Sequence, residues 1–351
     1  MALEVADLSD IDTTSIERLA AWLRRTLPQL GAIREVKAFS GGQSNPTYKI
    51  TCESGAAVLR RRPFGHLLPR AHMIEREYAV MSALDGNGVP VPRTLAFCDD
   101  AAVIGSAFYL MEFIEGRIFW NPALPECTPE QRRQVFAAMN ATVSQLHRVS
   151  PAEVGLAEFG KPQDFLARQL RRWTQQYRAS ETHRIAAMEA LIDWLPRQLP
   201  QSRSQARVFH GDLRIDNMIF HPTEPRILAV LDWELSTIGD PLADLAYHMI
   251  TWRIPPRLFR GLRGLDLDAL GIPSEQDYVG AYYDRTGFEP SADWSFYLAF
   301  SLFRLAAILQ GIAKRTQEGT ANAVNAAELG AGAAPLAEIG WSIAQHGHDR
   351  S

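Results

Sequence analysis

Three side chains of this sequence form a set that could do chemistry: Asp212, Asn217 and Asp232. Asp212 and Asn217 lie in a polar segment between short apolar runs, which predicts a loop between two strands, and Asp232 follows a further apolar run. A loop carboxylate can position and deprotonate an attacking hydroxyl, and amide and carboxylate oxygens are ligands for Mg²⁺. These are the parts that phosphoryl transfer requires, so we predict Asp212 as the catalytic residue and Asn217 and Asp232 as metal ligands.

The elements around this set change character along the chain. Short strands separated by turn residues, with one helix at residues 71–84, are predicted over about 30–115. Helical spacing then dominates, and strand patterns return only around the catalytic segment. We therefore predict an α+β fold with a small antiparallel-sheet lobe over residues 1–115, which includes an N-terminal helix, and a larger, mainly helical lobe over 116–351.

The segment His210-Gly211-Asp212-Leu213-Arg214-Ile215-Asp216-Asn217, followed by Asp232-Trp233-Glu234, has the order H-x-D-x-x-x-x-N and then D. With Gly239-Asp240-Pro241-Leu242-Ala243-Asp244, it resembles the aminoglycoside phosphotransferase/choline kinase family. The resemblance is greatest to the branch of phosphotransferase domains fused to some acyl-CoA dehydrogenases. It implies a bilobal protein-kinase-like fold and an ATP-dependent kinase that uses Mg²⁺ and acts on a small molecule.

The resemblance also assigns the residues that hold the nucleotide. Arg60 stands where these enzymes have a strand lysine that pairs with the α- and β-phosphates, and guanidinium is a capable phosphate ligand. Arg61 and Arg62 adjoin it, so the pairing residue is open among the three. Of two nearby helical acids, alignment favours Glu77 as the partner of Arg60 and leaves Glu75 exposed. The backbone of Glu112, Phe113 and Ile114 is expected to bind the adenine as a hinge, although an ordinary exit from a strand fits the sequence equally well.

A turn rich in glycine lies between two predicted strands upstream of Arg60. Backbone N–H groups in such a turn can bind phosphate oxygens, although glycine-rich hairpin turns are also common without this role. Its position favours a nucleotide-binding role for Gly41, Gly42, Ser44 and Asn45.

The amino-acid composition limits the kinds of partner that the protein can bind and the cellular compartment in which it is expected. The 351 residues carry a formal net charge of −4, which does not indicate a nucleic-acid partner. Three widely spaced cysteines are expected to be reduced thiols, and the acidic N-terminus does not resemble a signal peptide, so a cytoplasmic protein is predicted. The apolar stretch from Trp294 to Ala313 contains Arg304 and predicts a buried helix rather than a membrane span. The expected partners are ATP and a small acceptor, with no prediction of an oligomeric state.

The acceptor is the least determined feature. Residues 245–265 contain no Asp or Glu and four arginines, which favours an anionic acceptor such as a hydroxy acid or hydroxyacyl compound if this segment borders the site, whereas a solvated helix face is the plainer interpretation. An aminoglycoside- or choline-type kinase stays open, as does a nucleotide-binding pseudokinase or scaffold without turnover. The presence of Asp212, Asn217 and Asp232 together disfavours the pseudokinase.

Overall fold

The computed structural model describes residues 12–39, 45–64, 73–201, 205–320 and 326–347, together with the backbone of residues 5–6. The predicted nucleotide contacts of Gly41, Gly42 and Ser44 lie outside the described residues. Packing groups the chain into two compact units. The first comprises Met1–Ile118 with Asn217–Ser236, and the second comprises Phe119–Asp216 with Thr237–Ser351. The segment Asn217–Ser236 thus packs with the first unit, whereas the predicted boundaries place it in the second domain.

The first unit is built on an antiparallel sheet with strand order β1-β2-β3-β4-β6-β5. Alternation along Thr47–Cys52 buries Tyr48, Ile50 and Cys52, as expected for a strand with one face on a core. Leu19 and Leu23 of the first helix pack into this core, which also contains Phe108. The elements are β1 Val5–Ala6, α1 Thr13–Thr26, β2 Ile33–Phe39, β3 Thr47–Cys52, β4 Gly55–Arg61, α2 Ile74–Leu84, β5 Thr94–Cys98, α3 Ala101–Ile104, β6 Phe108–Glu112, β8 Met218–Phe220 and β9 Ile227–Val230.

The second unit is mainly helical, with one short strand pair, β7 with β10. Helix α7 begins as its sequence predicts, because Asp240 accepts a hydrogen bond from the backbone N–H of Leu242 and Pro241 occupies the first turn. The elements are α4 Pro129–Arg148, α5 Phe165–Ser180, α6 Ala186–Trp194, β7 Arg207–Phe209, β10 Thr237–Gly239, α7 Pro241–Arg253, α8 Pro256–Phe259, α9 Leu267–Leu270, α10 Glu275–Thr286, α11 Trp294–Gln317, α12 Ala326–Ala331 and α13 Ala333–His346.

Helix α11 is long and apolar enough to cross a membrane by length and composition alone, but 83% of its most apolar window is buried inside the protein. Such burial is that of a core helix, which is the structure predicted for this stretch. Its one charged residue within the buried part, Arg304, is itself buried.

Candidate active site

In the first unit, Arg60 is the centre of a partly buried ion-pair cluster. Its Nε lies 2.9 Å from Oε2 of Glu77, and its Nη2 lies 3.1 Å from Oδ1 of Asp232. Burial alone would lower the pKa of Arg60, but the negative charges around it, Glu77 foremost, outweigh burial and raise its pKa. The guanidinium therefore stays charged, and the structure contains the pair that the sequence predicts between Arg60 and Glu77.

The two arginines that follow Arg60 have other partners. Arg61 is buried, with its guanidinium carbon 3.9 Å from the ring centroid of Phe64. Arg62 pairs at the surface with Glu75, at 2.8 Å. Because side chains alternate along a strand, Arg61 leaves the face that Arg60 uses. Among the three consecutive arginines, Arg60 is the one that faces the carboxylates of the candidate site.

Glu77 is held by two neutral groups in addition to Arg60. The side-chain amide of Asn45 donates to Oε1 at 2.8 Å, and the hydroxyl of Tyr109 donates to Oε2 at 3.1 Å. Helical spacing places Glu77 on the buried face of α2 with Ile74 and Met81. The described contact of Asn45 thus positions Glu77, and its predicted contact with a nucleotide stays a prediction.

The hairpin of β8 and β9 brings the two predicted metal ligands to one end of the unit. The backbone N–H of Leu231 donates to the carbonyl of Asn217 at 2.8 Å. Asp232 therefore comes directly after the residue that pairs with Asn217 at the end of this hairpin. Asp232 has φ of +66°, in the left-handed region. Non-glycine residues are uncommon in this region, although Asp and Asn enter it more readily than most, and such backbone conformations concentrate at functional sites.

The donor set suits Mg²⁺ rather than a metal enclosed by protein. No group of three or more His, Cys, Asp or Glu able to hold a metal ion occurs within the described ranges. Asn217 and Asp232 offer oxygen donors, and Mg²⁺ commonly binds one or two carboxylates while waters and substrate phosphates complete its shell. The residues present therefore fit Mg²⁺ that arrives with a nucleotide.

The predicted hinge lies just beyond the sheet. Glu112 is the last residue of β6 and pairs with Ala57, and Phe113 and Ile114 follow outside any strand. The ring of Phe113 lies beneath the ammonium of Lys49, 4.0 Å from it. The backbone N–H of Glu112 donates to the carbonyl of Arg93 at 2.9 Å, whereas Phe113 and Ile114 lie outside the ladder. Adenine binding by these three residues stays a prediction.

In the second unit, Asp244 of α7 binds the backbone of the loop that carries Asp212. Oδ2 of Asp244 accepts the backbone N–H of His210 at 2.7 Å, and Oδ1 accepts that of Gly211 at 2.9 Å. Nε2 of His147 lies 3.3 Å from Oδ2. Burial opposes the charge of Asp244, but the hydrogen bond from His147 and the neighbouring histidines and N–H groups outweigh it and lower its pKa.

Arg304 holds the same loop from α11. Its guanidinium donates to the carbonyl of Gly211 and lies 4.4 Å from the ring centroid of Tyr247 and 5.1 Å from that of Trp173. The hydroxyl of Tyr247 hydrogen-bonds to Asp212, and burial and the Asp212 charge raise the pKa of this tyrosine. Arg304 thus positions both the loop backbone and a donor to the predicted catalytic carboxylate.

A histidine completes the support of the loop. Nδ1 of His248 lies 3.2 Å from the carbonyl of Leu213, and Nε2 lies 2.9 Å from the hydroxyl of Tyr278. A carbonyl only accepts, so Nδ1 carries the proton and Nε2 accepts from the tyrosine. Burial lowers the pKa of His248 to about 4, so the ring is neutral at physiological pH.

Sequence reasoning assigned no role at the loop to four of these residues. Asp244 belongs to the quoted motif, and Arg304 was visible as an isolated charge in an apolar stretch, which is a usable signal. Tyr247 and His248 follow Asp244 on a helix buried almost throughout, where polar residues require partners. Their partners lie on segments distant in sequence, and no local pattern shows that pairing.

The model of the phosphotransferase enzyme family (APH) matches residues 35–282. The chain belongs to this family. A mouse relative, acyl-CoA dehydrogenase family member 10, is 46% identical over 312 residues, which cover 88% of this chain and 29% of the relative. The rat family member 11 is 39% identical and is matched over 94% of this chain and 43% of its own length. The chain therefore spans well under half of these curated relatives.

Solved structures agree with this family. A crystal structure from Ralstonia eutropha JMP134, provisionally named an aminoglycoside phosphotransferase, is 47% identical, with a TM-score of 0.87 and coverage of 95% of this chain and 98% of that one. Spectinomycin phosphotransferase, in complex with ADP and spectinomycin, shares the fold with a TM-score of 0.60 at 11% identity, over 97% and 99% of the two chains. The predicted family, the kinase-like fold and a phosphotransferase acting on hydroxyl groups are confirmed.

Replacement of Asp232 by Asn in this phosphotransferase should separate stability from activity. Asn tolerates the left-handed conformation, so the melting temperature should change by no more than a few degrees. Loss of the charge removes a predicted metal ligand, so kcat should fall at least about tenfold and the Mg²⁺ concentration for half-maximal activity should rise. Glu234→Gln, with its carboxylate 3.8 Å from Arg60, is the matched control. An unchanged Mg²⁺ dependence in Asp232→Asn would contradict the metal-ligand assignment.

Arg304→Met should lower kcat several-fold while the KM for nucleotide changes little, because it frees the loop carbonyl that Arg304 binds and loosens Tyr247. An unsatisfied buried carbonyl also costs about 1–3 kcal/mol of stability. Arg304→Lys should recover part of kcat, and Arg315→Met, at an exposed position of the same helix, should behave as wild type. Equal kcat in Arg304→Met and wild type would exclude the positioning role.

His248 makes stability depend on pH. An unfolded histidine takes up a proton near pH 6.5, whereas the folded ring does so only near pH 4. The stability it contributes is fully present above about pH 6.5 and declines towards pH 4, by up to about 1.4 kcal/mol per pH unit. Urea unfolding of wild type and His248→Gln across this range should show a shallower slope in the variant. Parallel pH profiles would mean that His248 titrates alike in both states.

Proposed function

We propose that this chain transfers the γ-phosphoryl group of Mg-ATP to a hydroxyl of a small organic acceptor. The observation that carries the proposal is the fixed carboxylate of Asp212. Its loop is held through the backbone of His210 and Gly211, and Tyr247 donates to the carboxylate itself. A carboxylate aimed by its surroundings is what the positioning of a hydroxyl nucleophile needs.

The candidate site residues have the following roles in the proposed reaction. Asp212 orients the acceptor hydroxyl and takes its proton as the new P–O bond forms and the bond to ADP breaks. Arg60, kept charged and aligned by Glu77, pairs with the α- and β-phosphates. Asn217 and Asp232 would hold Mg²⁺, which would supply positive charge against that of the phosphates. The backbone of Glu112 to Ile114 binds the adenine, and Asn45 with Gly41, Gly42 and Ser44 completes the nucleotide site.

Two considerations support an acceptor of the hydroxy-acid or hydroxyacyl type. The mouse and rat relatives are named as acyl-CoA dehydrogenase family members, and this chain matches only a part of each. A kinase joined to such an enzyme suits a hydroxylated acyl substrate. The second consideration is charge, since residues 245–265 contain four arginines and no acid. If this segment borders the acceptor site, a polycationic aminoglycoside would be repelled there.

The structure divides these four arginines. Arg253 is buried and donates to Glu275 at 2.9 Å, so it stabilises the fold. Arg257 and Arg263 line a groove of about 520 Å³ together with Glu338 and Ile339. Arg260 is the one of these four arginines that pairs with Asp216, which lies four residues after Asp212. The charge argument for an anionic acceptor therefore depends on Arg260 and not on the segment as a whole.

Asp212→Asn tests the proposed function. ADP release and phosphate transfer, followed by ³¹P NMR against a panel of hydroxy acids, hydroxyacyl-CoA esters, amino alcohols and aminoglycosides, should identify an acceptor for wild type. With that acceptor, Asp212→Asn should lose about 10²–10⁴-fold in kcat, because the acceptor hydroxyl loses its base, while the Kd for ATP stays within a few-fold.

Asp284→Asn, an exposed position on α10, is the control and should retain full activity. Equal turnover in wild type and Asp212→Asn would exclude Asp212 as the base. Binding of ATP without transfer to any acceptor would favour a nucleotide-binding scaffold, and efficient transfer only to aminoglycosides would refute the anionic acceptor.

A further inference from the structure

A row of alternating charges leads from the predicted catalytic carboxylate to the surface of the second unit. Nη2 of Arg214 lies 3.4 Å from Oδ2 of Asp212 and 3.2 Å from Oδ2 of Asp216. Arg260 also pairs with this Asp216 oxygen. The side chain of Asp216 is only 5% exposed, whereas that of Arg260 is 38% exposed. The positive charge at the open end of the row is therefore Arg260.

The backbone and neighbours of Arg260 fix its guanidinium in place. Arg260 ends α8 with φ of +43°, a left-handed conformation usual for glycine at this position. Its guanidinium carbon lies 5.2 Å from the ring centroid of Trp120 and 6.0 Å from that of Phe259. A charged group held by one carboxylate and two rings loses little freedom when a ligand binds its open edge.

Trp120 gives this cation an apolar neighbour. Among the residues that the structure describes, only Phe64 and Trp120 are large hydrophobic side chains classed as exposed, and Trp120 is 42% exposed. An exposed Trp beside a partly exposed Arg offers a flat apolar face and a two-pronged donor within one small area. Arg260 also borders a cavity of about 20 Å³ beside Tyr247 and Phe259, which has room for about one water molecule, so a ligand of the Arg260 and Trp120 side chains would lie on the surface.

These features match a ligand with two parts. A carboxylate can take two parallel N–H bonds from the open edge of a guanidinium, and an alkyl chain can lie on an indole face. A cationic ligand would instead be repelled at the open end of the row. The side chains of Asp212 and Asp216 do not reverse this preference, because Arg214 bridges both and Arg260 also pairs with Asp216.

We propose that Arg260 and Trp120 form the subsite that selects the acceptor, with Arg260 binding an anionic group and Trp120 packing against an apolar chain. The inference rests on the proposed function, since the acceptor hydroxyl would lie at Asp212. The anion is a carboxylate in a free hydroxy acid and a phosphate group in a coenzyme A ester. Both the free hydroxy acid and the coenzyme A ester are anions, so neither requires the carboxylate-lined site that would bind a polycation.

Calorimetry with octanoate and its neutral analogue octanamide tests the subsite without turnover, because neither has a hydroxyl. Octanoate should bind wild type at least about tenfold more tightly than octanamide. Arg260→Gln should abolish that preference, and Trp120→Ala should weaken binding of both. Arg257→Gln, an arginine of the same short helix that lines the other groove, is the matched control and should keep the preference. Equal affinity of the two probes for wild type, or equal octanoate binding by Arg260→Gln and Arg257→Gln, would overturn the subsite.

Kinetics separate this inference from the proposed function. With a hydroxyoctanoate as acceptor, Arg260→Gln should raise the acceptor KM at least about tenfold and leave the KM for ATP unchanged. If Arg260→Gln raises the KM of the free acid, Arg260 binds the carboxylate of the acceptor. If it raises only the KM of the coenzyme A thioester, Arg260 binds a phosphate group. Both results support an anion subsite. An unchanged acceptor KM for both forms overturns it while the kinase stands. Preference for octanoate without any ADP release would keep the subsite and reject the kinase.

Discussion

The buried carboxylate of Asp244 is the constraint on which the candidate catalytic loop depends. A charge removed from water is tolerated only when hydrogen bonds and opposite charges replace its hydration. Here the two oxygens are occupied by consecutive backbone N–H groups, those of His210 and Gly211, and by the ring of His147. The same bonds that make the charge tolerable fix the two residues before Asp212. Loop geometry and carboxylate burial therefore cannot vary independently.

Arg304 shows the same logic for a cation. Within the described residues no carboxylate lies within ion-pair distance of it, and its charge is met by the carbonyl of Gly211 and the faces of Tyr247 and Trp173. Asp244 thus binds the N–H of Gly211 and Arg304 binds its carbonyl. Both polar groups of one peptide residue are held by buried charges from two helices. A loop held in this way keeps its shape without help from a ligand, which suits a site that must be ready before the acceptor arrives.

The local sequence pattern predicted most helices and strands and the candidate site residues Asp212, Asn217 and Asp232. It could do so because strand alternation, helical spacing and the order of these three residues all involve positions close together in the chain. The ion pair of Arg60 with Glu77 came from resemblance, and the structure contains it. The supports of the loop were not predicted, because they join residues about 30 to 100 positions apart. The four arginines of residues 245–265 are alike in sequence, and only tertiary contacts separate the buried Arg253 from the partly exposed Arg260.

Each of the two units contains a charged residue with a positive φ. Four non-glycine residues within the described ranges have positive φ, and two of them, Asp232 and Arg260, carry predicted functional side chains. Glycine would fit either position with less strain, yet it offers no carboxylate and no guanidinium. Ion pairs oppose the strain at both places, since Asp232 contacts Arg60 and Arg260 contacts Asp216. Each of these two residues is thus held by an opposite charge in its own unit, so the charge proposed to act at the nucleotide and the charge proposed to act at the acceptor are positioned in the same physical way.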